Sequence, residues 1–128
     1  MKLTADQARD FADKFSDIAN ALRKQRLDRL DDLTTAELRK IKDAEIGARD
    51  LCEEFTTEAI GLTIDETKAS LAQLNSVTDE AHEAVETLAK VGKIIEVATA
   101  TVKLGMAVMS ENPAAITAAF NDLSQHLA

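Results

Sequence analysis

Residues 38–62 read LRKIKDAEIGARDLCEEFTTEAIGL, and their apolar side chains recur every three or four residues. The recurring positions are Leu38, Ile41, Ala48, Cys52, Phe55, Ala59 and Leu62, with Glu45 as the one interruption. This spacing places them all on one face of an α-helix. Over so many turns it is typical of the seam of a coiled coil or long helical bundle. Strict apolar–polar alternation, which would indicate strands, is absent from the whole sequence.

The rest of the chain shows the same spacing, divided by helix-start signals. Thr4 and Gln7, preceded by Leu3, match a capping box and predict a first helix that runs to about Asp31. Thr34 and Glu37 match a second capping box, so the second helix is expected to begin near Thr35. The first helix carries an apolar stripe at Phe11, Phe15, Ile18 and Leu22.

The course of the chain after Gly61 allows two interpretations. Gly61 could end the second helix, with Thr63 and Glu66 capping a new one. Alternatively the helix continues to about Asn75, and we favour this because one glycine inside a helix costs only ~1 kcal/mol.

Residues 76–80 (SVTDE) are a cluster of capping and acidic residues, and they predict the start of a third helix that continues to Met109. Its expected apolar band is Val85, Leu88, Val91, Gly92, Ile95, Ala98, Val102, Met106 and Met109. Asn112 and Pro113 are predicted as N-cap and first residue of a last, short helix. The stripe of this helix is Ile116, Ala119, Phe120, Leu123 and Leu127.

These patterns predict an all-α fold: an elongated antiparallel helical bundle of three long helices plus a short C-terminal helix. The 128 residues, 45% of them apolar, suffice for one core, so residues 1–128 are expected to form a single helical-bundle domain. At 1.5 Å per residue the long helices would reach roughly 40–60 Å. The expectation is a soluble, acidic protein, cytoplasmic by default, with signal-less secretion as the open alternative.

The net charge of −8 is concentrated in residues 51–87, where one lysine faces nine acids. The candidate interaction residues of this acidic tract are Glu53, Glu54, Glu58, Asp65, Glu66, Glu83 and Glu86. They would suit a basic protein partner. Binding to nucleic acid is not expected, because phosphate contacts need the opposite charge and the four Phe, with no Trp or Tyr, indicate no stacking platform.

The leading functional hypothesis is a non-enzymatic protein that acts through protein–protein interaction and self-associates as a homo-oligomer. Self-association is expected because the apolar seam from Leu38 to Leu62 is long, and one neighbouring helix of a small bundle would not cover it fully. The alternative is a membrane-active, pore-forming or lipid-binding protein that uses segment 88–109, where 18 of 22 residues are uncharged.

A metal-binding bundle is a second alternative, since Asp79, His82, Glu83 and Glu86 share one predicted helix. His126 with Asp122, and the carboxylates of Glu53 and Glu54, could supplement such a site. Acids are expected at a helix start in any case, so no metal, cofactor or catalytic residue is predicted. Cys52, flanked by acids, is expected to be a small apolar residue of the seam rather than a nucleophile.

Overall fold

The computed structural model of the chain describes residues 4–57 and 70–128, and within these ranges it contains five α-helices and no β-strand. The helices are α1 (Ala5–Asp28), α2 (Thr35–Thr57), α3 (Leu71–Thr87), α4 (Val91–Met109) and α5 (Pro113–Leu127). The predicted all-α bundle is confirmed. Its longest helix, α1, has 24 residues. At about 36 Å it is shorter than the long helices predicted from the sequence.

Successive helices run antiparallel, as predicted. The ring centroids of Phe11 and Phe55 lie 5.5 Å apart, and Arg26 binds Glu45 at 3.1 Å, so early residues of α1 face late residues of α2. Helices α1 and α3 are parallel, because residues further along α1 contact residues further along α3. The side chain of Lys14 contacts Asp79 of α3, and that of Gln25 contacts the backbone of Val85.

The remaining helices complete an up-down arrangement. Gly47 of α2 faces Val102 of α4, and Leu51 of α2 faces Gly105, so these two helices are parallel. Helix α5 returns along α4, with His126 reaching Glu96. Helix α1 packs against α2 and α3, whereas α4 packs against α2, α3 and α5. In the described part of the chain α2 and α3 share no extensive contact, although each packs against both α1 and α4.

Two predicted helix starts are confirmed by their side-chain hydrogen bonds. The hydroxyl of Thr4 accepts from the N–H of Gln7 at 3.1 Å, and the Gln7 side chain accepts from the N–H of Thr4. Thr34 and Glu37 make the same reciprocal pair before α2. These bonds satisfy N–H groups that have no partner inside the helix. Helix α1 ends at Asp28, slightly earlier than predicted.

The start of α5 is also confirmed. The Asn112 side chain accepts from the N–H groups of Ala114 and Ala115, at 3.0 and 3.2 Å, and Pro113 is the first helical residue. Both interpretations of Gly61, including a cap at Thr63 and Glu66, lie outside the described residues.

The predicted start of the third helix at residues 76–80 is wrong. Helix α3 begins at Leu71, where Ser70 is the N-cap and forms a capping box with Gln73. Within the supposed cap, Val77 and Thr78 are buried, and the Thr78 hydroxyl donates to the carbonyl of Leu74 at 2.7 Å. A threonine that bonds to its own preceding turn is compatible with a helix interior, so these residues continue α3.

The prediction of one helix through to Met109 is also wrong, because the chain turns at residues 88–90. Leu88 has an extended backbone (φ −65°, ψ 136°), and α4 begins at Val91. Side chains at the end of α1 and directly after it donate hydrogen bonds to the carbonyls near this break. Gln25 donates to Val85 and Glu86, and Arg29 donates to Leu88 at 3.1 Å and Ala89 at 2.7 Å. The predicted third helix is therefore a helical hairpin tethered to α1.

The core lies between the four longest helices and is closed on one side by α5. Its largest fully buried side chains are Phe11, Phe15, Phe55, Ile18, Leu22, Ile41, Leu74, Ile94, Leu104, Ile116 and Leu123. The predicted stripes of α1 and α5 pack here, as do Ile41, Ala48, Cys52 and Phe55 of the α2 seam. Glu45, which interrupts that seam, is buried and accepts hydrogen bonds from Arg26 and Arg49. Such pairing is what a buried carboxylate requires.

Candidate functional site

Helix α4 is buried on most of its circumference, but its core-facing side differs from the predicted band. The residues that point fully inward include Ile94, Val97, Thr101, Leu104 and Val108, whereas Met106 of the predicted band is 59% exposed. The Thr101 hydroxyl is satisfied within the helix by the carbonyl of Val97, at 2.7 Å. Because α4 is apolar on nearly every side, spacing alone did not fix which side faces the core.

The outward face of α4 forms the floor of an open groove between α2 and α5. The groove has a volume of about 540 Å³. Its floor consists mainly of small or apolar side chains, Ala44, Ile95, Thr99, Ala100 and Val102. Lys40 and Asp43 lie on the α2 wall, and Asp122 and His126 lie on the α5 wall. An apolar floor edged by a few polar groups is the usual composition of a binding site.

The charged groups of the rim fall into a paired set and an unpaired set. Glu96 of α4 lies 3.5 Å from Lys93 and 3.7 Å from Nδ1 of His126, and Nε2 of His126 lies 3.6 Å from Asp122. Lys40, Asp43 and Lys103 have no ion-pair partner within the described residues. As far as the described residues show, the rim thus carries two cations and one carboxylate that are not paired.

The candidate interaction residues of the acidic tract do not form one surface. Glu53 and Glu54 are exposed on α2 beside Phe55, which stacks on Phe11 near the start of α1. Glu83 and Glu86 are exposed on α3, and the Glu86 carbonyl binds Gln25 near the end of α1. These two pairs thus lie on different helices and toward opposite ends of α1. The other three candidates, Glu58, Asp65 and Glu66, lie outside the described residues.

The residues considered for a metal site are also separated. His82 binds Glu86 at 2.7 Å on α3, and Asp79 is engaged by Lys14 at 2.7 Å. His126 lies in the α2–α4–α5 groove instead. Across residues 4–57 and 70–128, no group of three or more His, Cys, Asp and Glu side chains is placed to hold a metal ion.

Two further sequence features have a clear structural position. Cys52 is half-buried on α2 and packs against the core, as expected for a residue of the seam. Segment 88–109 comprises the 88–90 turn and α4, whose apolar side chains mostly face other helices of the bundle. Among the described helices, none combines the length and the apolar character needed to cross a bilayer.

Comparisons with protein-family models, with curated proteins and with solved structures found no match for this chain.

The groove was only partly foreseeable from the sequence. The charges of segment 88–109 cluster on one side of a helix, and Lys93, Glu96 and Lys103 do mark its exposed face. The walls come from Lys40 and Asp43, more than fifty residues earlier, and from α5. No spacing within one helix indicates which other helices will flank it, so the groove as a whole was missed.

Proposed function

We propose that this protein is a non-enzymatic interaction module that binds a helix of a partner protein in the groove between α2, α4 and α5. The observation that carries the proposal is the apolar floor of this groove on the most central helix of the bundle. A charged helix face would normally be expected where a helix meets water. Here the charged residues of the exposed face are interspersed with Ile95 and Val102, which line the groove and are only partly covered.

The shape and chemistry of the groove suit a helical partner. Helix-in-groove recognition places an amphipathic helix with its apolar side on such a floor. The charged groups lie on the rim, where they can orient a partner without being desolvated. The seam from Leu38 to Phe55, by contrast, gives little support for an interface, because Ile41, Ala48 and Phe55 are buried within the chain.

The proposal can be tested by site-specific photocross-linking in the cells that make the protein. A benzophenone amino acid would replace Lys103, an exposed residue that lines the groove, and in a matched control would replace Ile46, which is 48% exposed and outside the groove. We expect a discrete adduct at position 103 that maps to a helical segment and disappears when Thr99→Arg fills the groove. No adduct at position 103, or equal adducts at both positions, would contradict the proposal.

A further inference from the structure

The side of the bundle formed by α1 and α2 carries most of the exposed apolar side chains. Among the described residues four large apolar side chains are strongly exposed, and three of them are Leu27 (49%), Leu30 (49%) and Ile46 (48%). Leu27 follows Arg26, and Ile46 follows Glu45, the two residues whose side chains pair at 3.1 Å across the α1–α2 contact. Leu27 and Ile46 therefore lie at about the same height on neighbouring helices. Single exposed apolar residues are ordinary, whereas several on one side indicate an interaction site.

The charges around these side chains follow opposite orders on the two helices. Leu27 and Ile46 each have a basic residue four positions before them and an acidic residue four positions after them. These charged residues are Arg23 and Asp31 on either side of Leu27, and Lys42 and Asp50 on either side of Ile46. All four are exposed, and none forms an ion pair in the part of the chain that the structure describes. Because α1 and α2 run antiparallel, α2 is negative at the height where α1 is positive, and about two turns further along the signs are reversed.

We infer that this α1–α2 face, formed by the three apolar and four charged residues named above, binds the same face of a second copy of this chain. A two-fold axis in front of the face and parallel to the helices lays α1 of each copy over α2 of the other, at the same height. Leu27 of each copy then packs on Ile46 of the other. The basic residue before Leu27 meets the acidic residue after Ile46, and at the other end the acidic residue after Leu27 meets the basic residue before Ile46. Isologous pairing of this kind is the commonest form of protein oligomer.

The neighbouring charges are compatible with this pairing. Arg26 and Arg49 are both held by the buried carboxylate of Glu45, at 3.1 and 3.3 Å. Four further charges extend the same order: Lys24 beside Arg23, Asp32 beside Asp31, Arg39 before Lys42 and Glu53 after Asp50. Asp28 and Asp43 depart from the order, but they lie toward the outer flanks of the face. Asp28 lines a cleft between α1 and α3, and Asp43 lines the groove beside α4.

The apolar centre of the face is tested by sedimentation equilibrium of the full chain, for which we expect a dimer. Leu27→Glu and Ile46→Glu should each raise the dissociation constant about tenfold or more, the factor that 1.4 kcal/mol represents, because each change places two carboxylates in the apolar contact. Met106→Glu is the matched control. It makes the same change of charge at a side chain that is 59% exposed on α4, outside the α1–α2 face, and it should leave the dimer unchanged. Circular dichroism of each variant checks that the helices are retained.

The order of the charges is tested by reversing one charge on each helix. Arg23→Glu alone and Asp50→Arg alone should each weaken the dimer about tenfold, because two like-charged contacts then face each other in every dimer. Mixed in equal amounts, the two variants should form a heterodimer of nearly the original affinity, since each chain supplies the charge that the other needs at both contacts. A change of stability within one chain cannot produce this recovery.

A chain that is monomeric at every concentration would overturn the inference. So would a dimer that Met106→Glu weakens as much as Leu27→Glu does, or a mixture of the two charge variants that binds no more tightly than either variant alone. The inference does not depend on the proposed function, because it concerns a different surface. A photocross-link from position 46 should join two copies of this chain, whereas the adduct expected at position 103 contains another protein.

Discussion

Replacing Gly105 by alanine would place a methyl group where α4 lies closest to α1 and α2. The added Cβ would lie 2.6 Å from Cδ1 of Leu51 and 2.6 Å from Cζ of Phe15. Favourable carbon–carbon contacts are about 3.5–4.0 Å. Leu51 and Phe15 are both at least 98% buried, and the Phe15 ring stacks on Phe55 with centroids 5.8 Å apart. Neither side chain can move away without displacing others, so the methyl group overpacks the core.

The change in the free energy of unfolding follows from two opposing effects of the added methyl group. Alanine is better than glycine inside a helix by ~1 kcal/mol, and overpacking of a dense core costs ~1–3 kcal/mol. Gly92, in the first turn of α4, provides the reference, because a Cβ there meets no atom within 4 Å. Gly92→Ala should therefore stabilise the protein by about 0.5 kcal/mol or more. Gly105→Ala should be less stable than Gly92→Ala by ~1–3 kcal/mol, the overpacking cost alone.

The assay is urea unfolding followed by circular dichroism at the helix band, since the chain has neither Trp nor Tyr to report by fluorescence. Unchanged slopes of the transition would show that the difference lies in stability rather than in the unfolded state. Gly47→Ala, whose Cβ would meet Cγ1 of Val102 at 3.0 Å, should fall between the other two. If Gly105→Ala proved as stable as Gly92→Ala, the close packing of α4 on Phe15 and Leu51 would be refuted.

Three further predictions concern polar groups that hold the helices in place. Asn112→Ala removes the N-cap of α5 and should cost ~1 kcal/mol in urea unfolding. Arg29→Lys replaces the planar fork, whose two terminal nitrogens each bind one carbonyl, by a single flexible ammonium, so it should cost about 1–2 kcal/mol and speed hydrogen exchange of the Leu88 amide. Glu45→Ala leaves Arg26 and Arg49 without their shared carboxylate, and we expect a loss of about 1–3 kcal/mol by the same unfolding assay.

Each of these predictions has a matched comparison. Asn112→Asp keeps the capping oxygen and should retain most of the stability. Arg49→Ala should cost less than Glu45→Ala, because the Arg49 side chain is 44% exposed. Equal losses from these two changes would contradict the description of Glu45 as the centre of the cluster. Unchanged exchange at Leu88 in Arg29→Lys would mean that α1 does not hold the turn.

The parts of the fold that the sequence predicted correctly are encoded locally. The caps at Thr4, Thr34 and Asn112 involve partners two or three residues away, so their patterns can be read directly. Ser70 and Gln73 carry the same local pattern before α3, just upstream of the start that the sequence predicts at residues 76–80. The capping and acidic residues at 76–80 resemble a helix start, but Val77 and Thr78 in that stretch are buried inside α3.

The parts that could not be predicted depend on contacts between distant segments. The turn at 88–90 has no glycine or proline, and the groups that bind its carbonyls belong to α1. The acidic tract shows the same limit, because its described candidates Glu53 and Glu54 lie on α2 whereas Glu83 and Glu86 lie on α3. For the candidate groove, the charges of α4 indicate from the sequence which side of that helix faces outward. The walls of the groove depend on where α2 and α5 pack, and no local pattern indicates that.

The hydrogen bonds from Gln25 and Arg29 to the 85–89 carbonyls also bear on the order in which the chain can fold during synthesis. Gln25 and Arg29 leave the ribosome 60 residues before the Val85 and Ala89 carbonyls that they will bind. Until those carbonyls emerge, the side-chain N–H groups of Gln25 and Arg29 that will donate to them are hydrated. The direction in which the chain leaves α3, and with it the placement of α4 and α5, is therefore fixed late in synthesis by the first helix made.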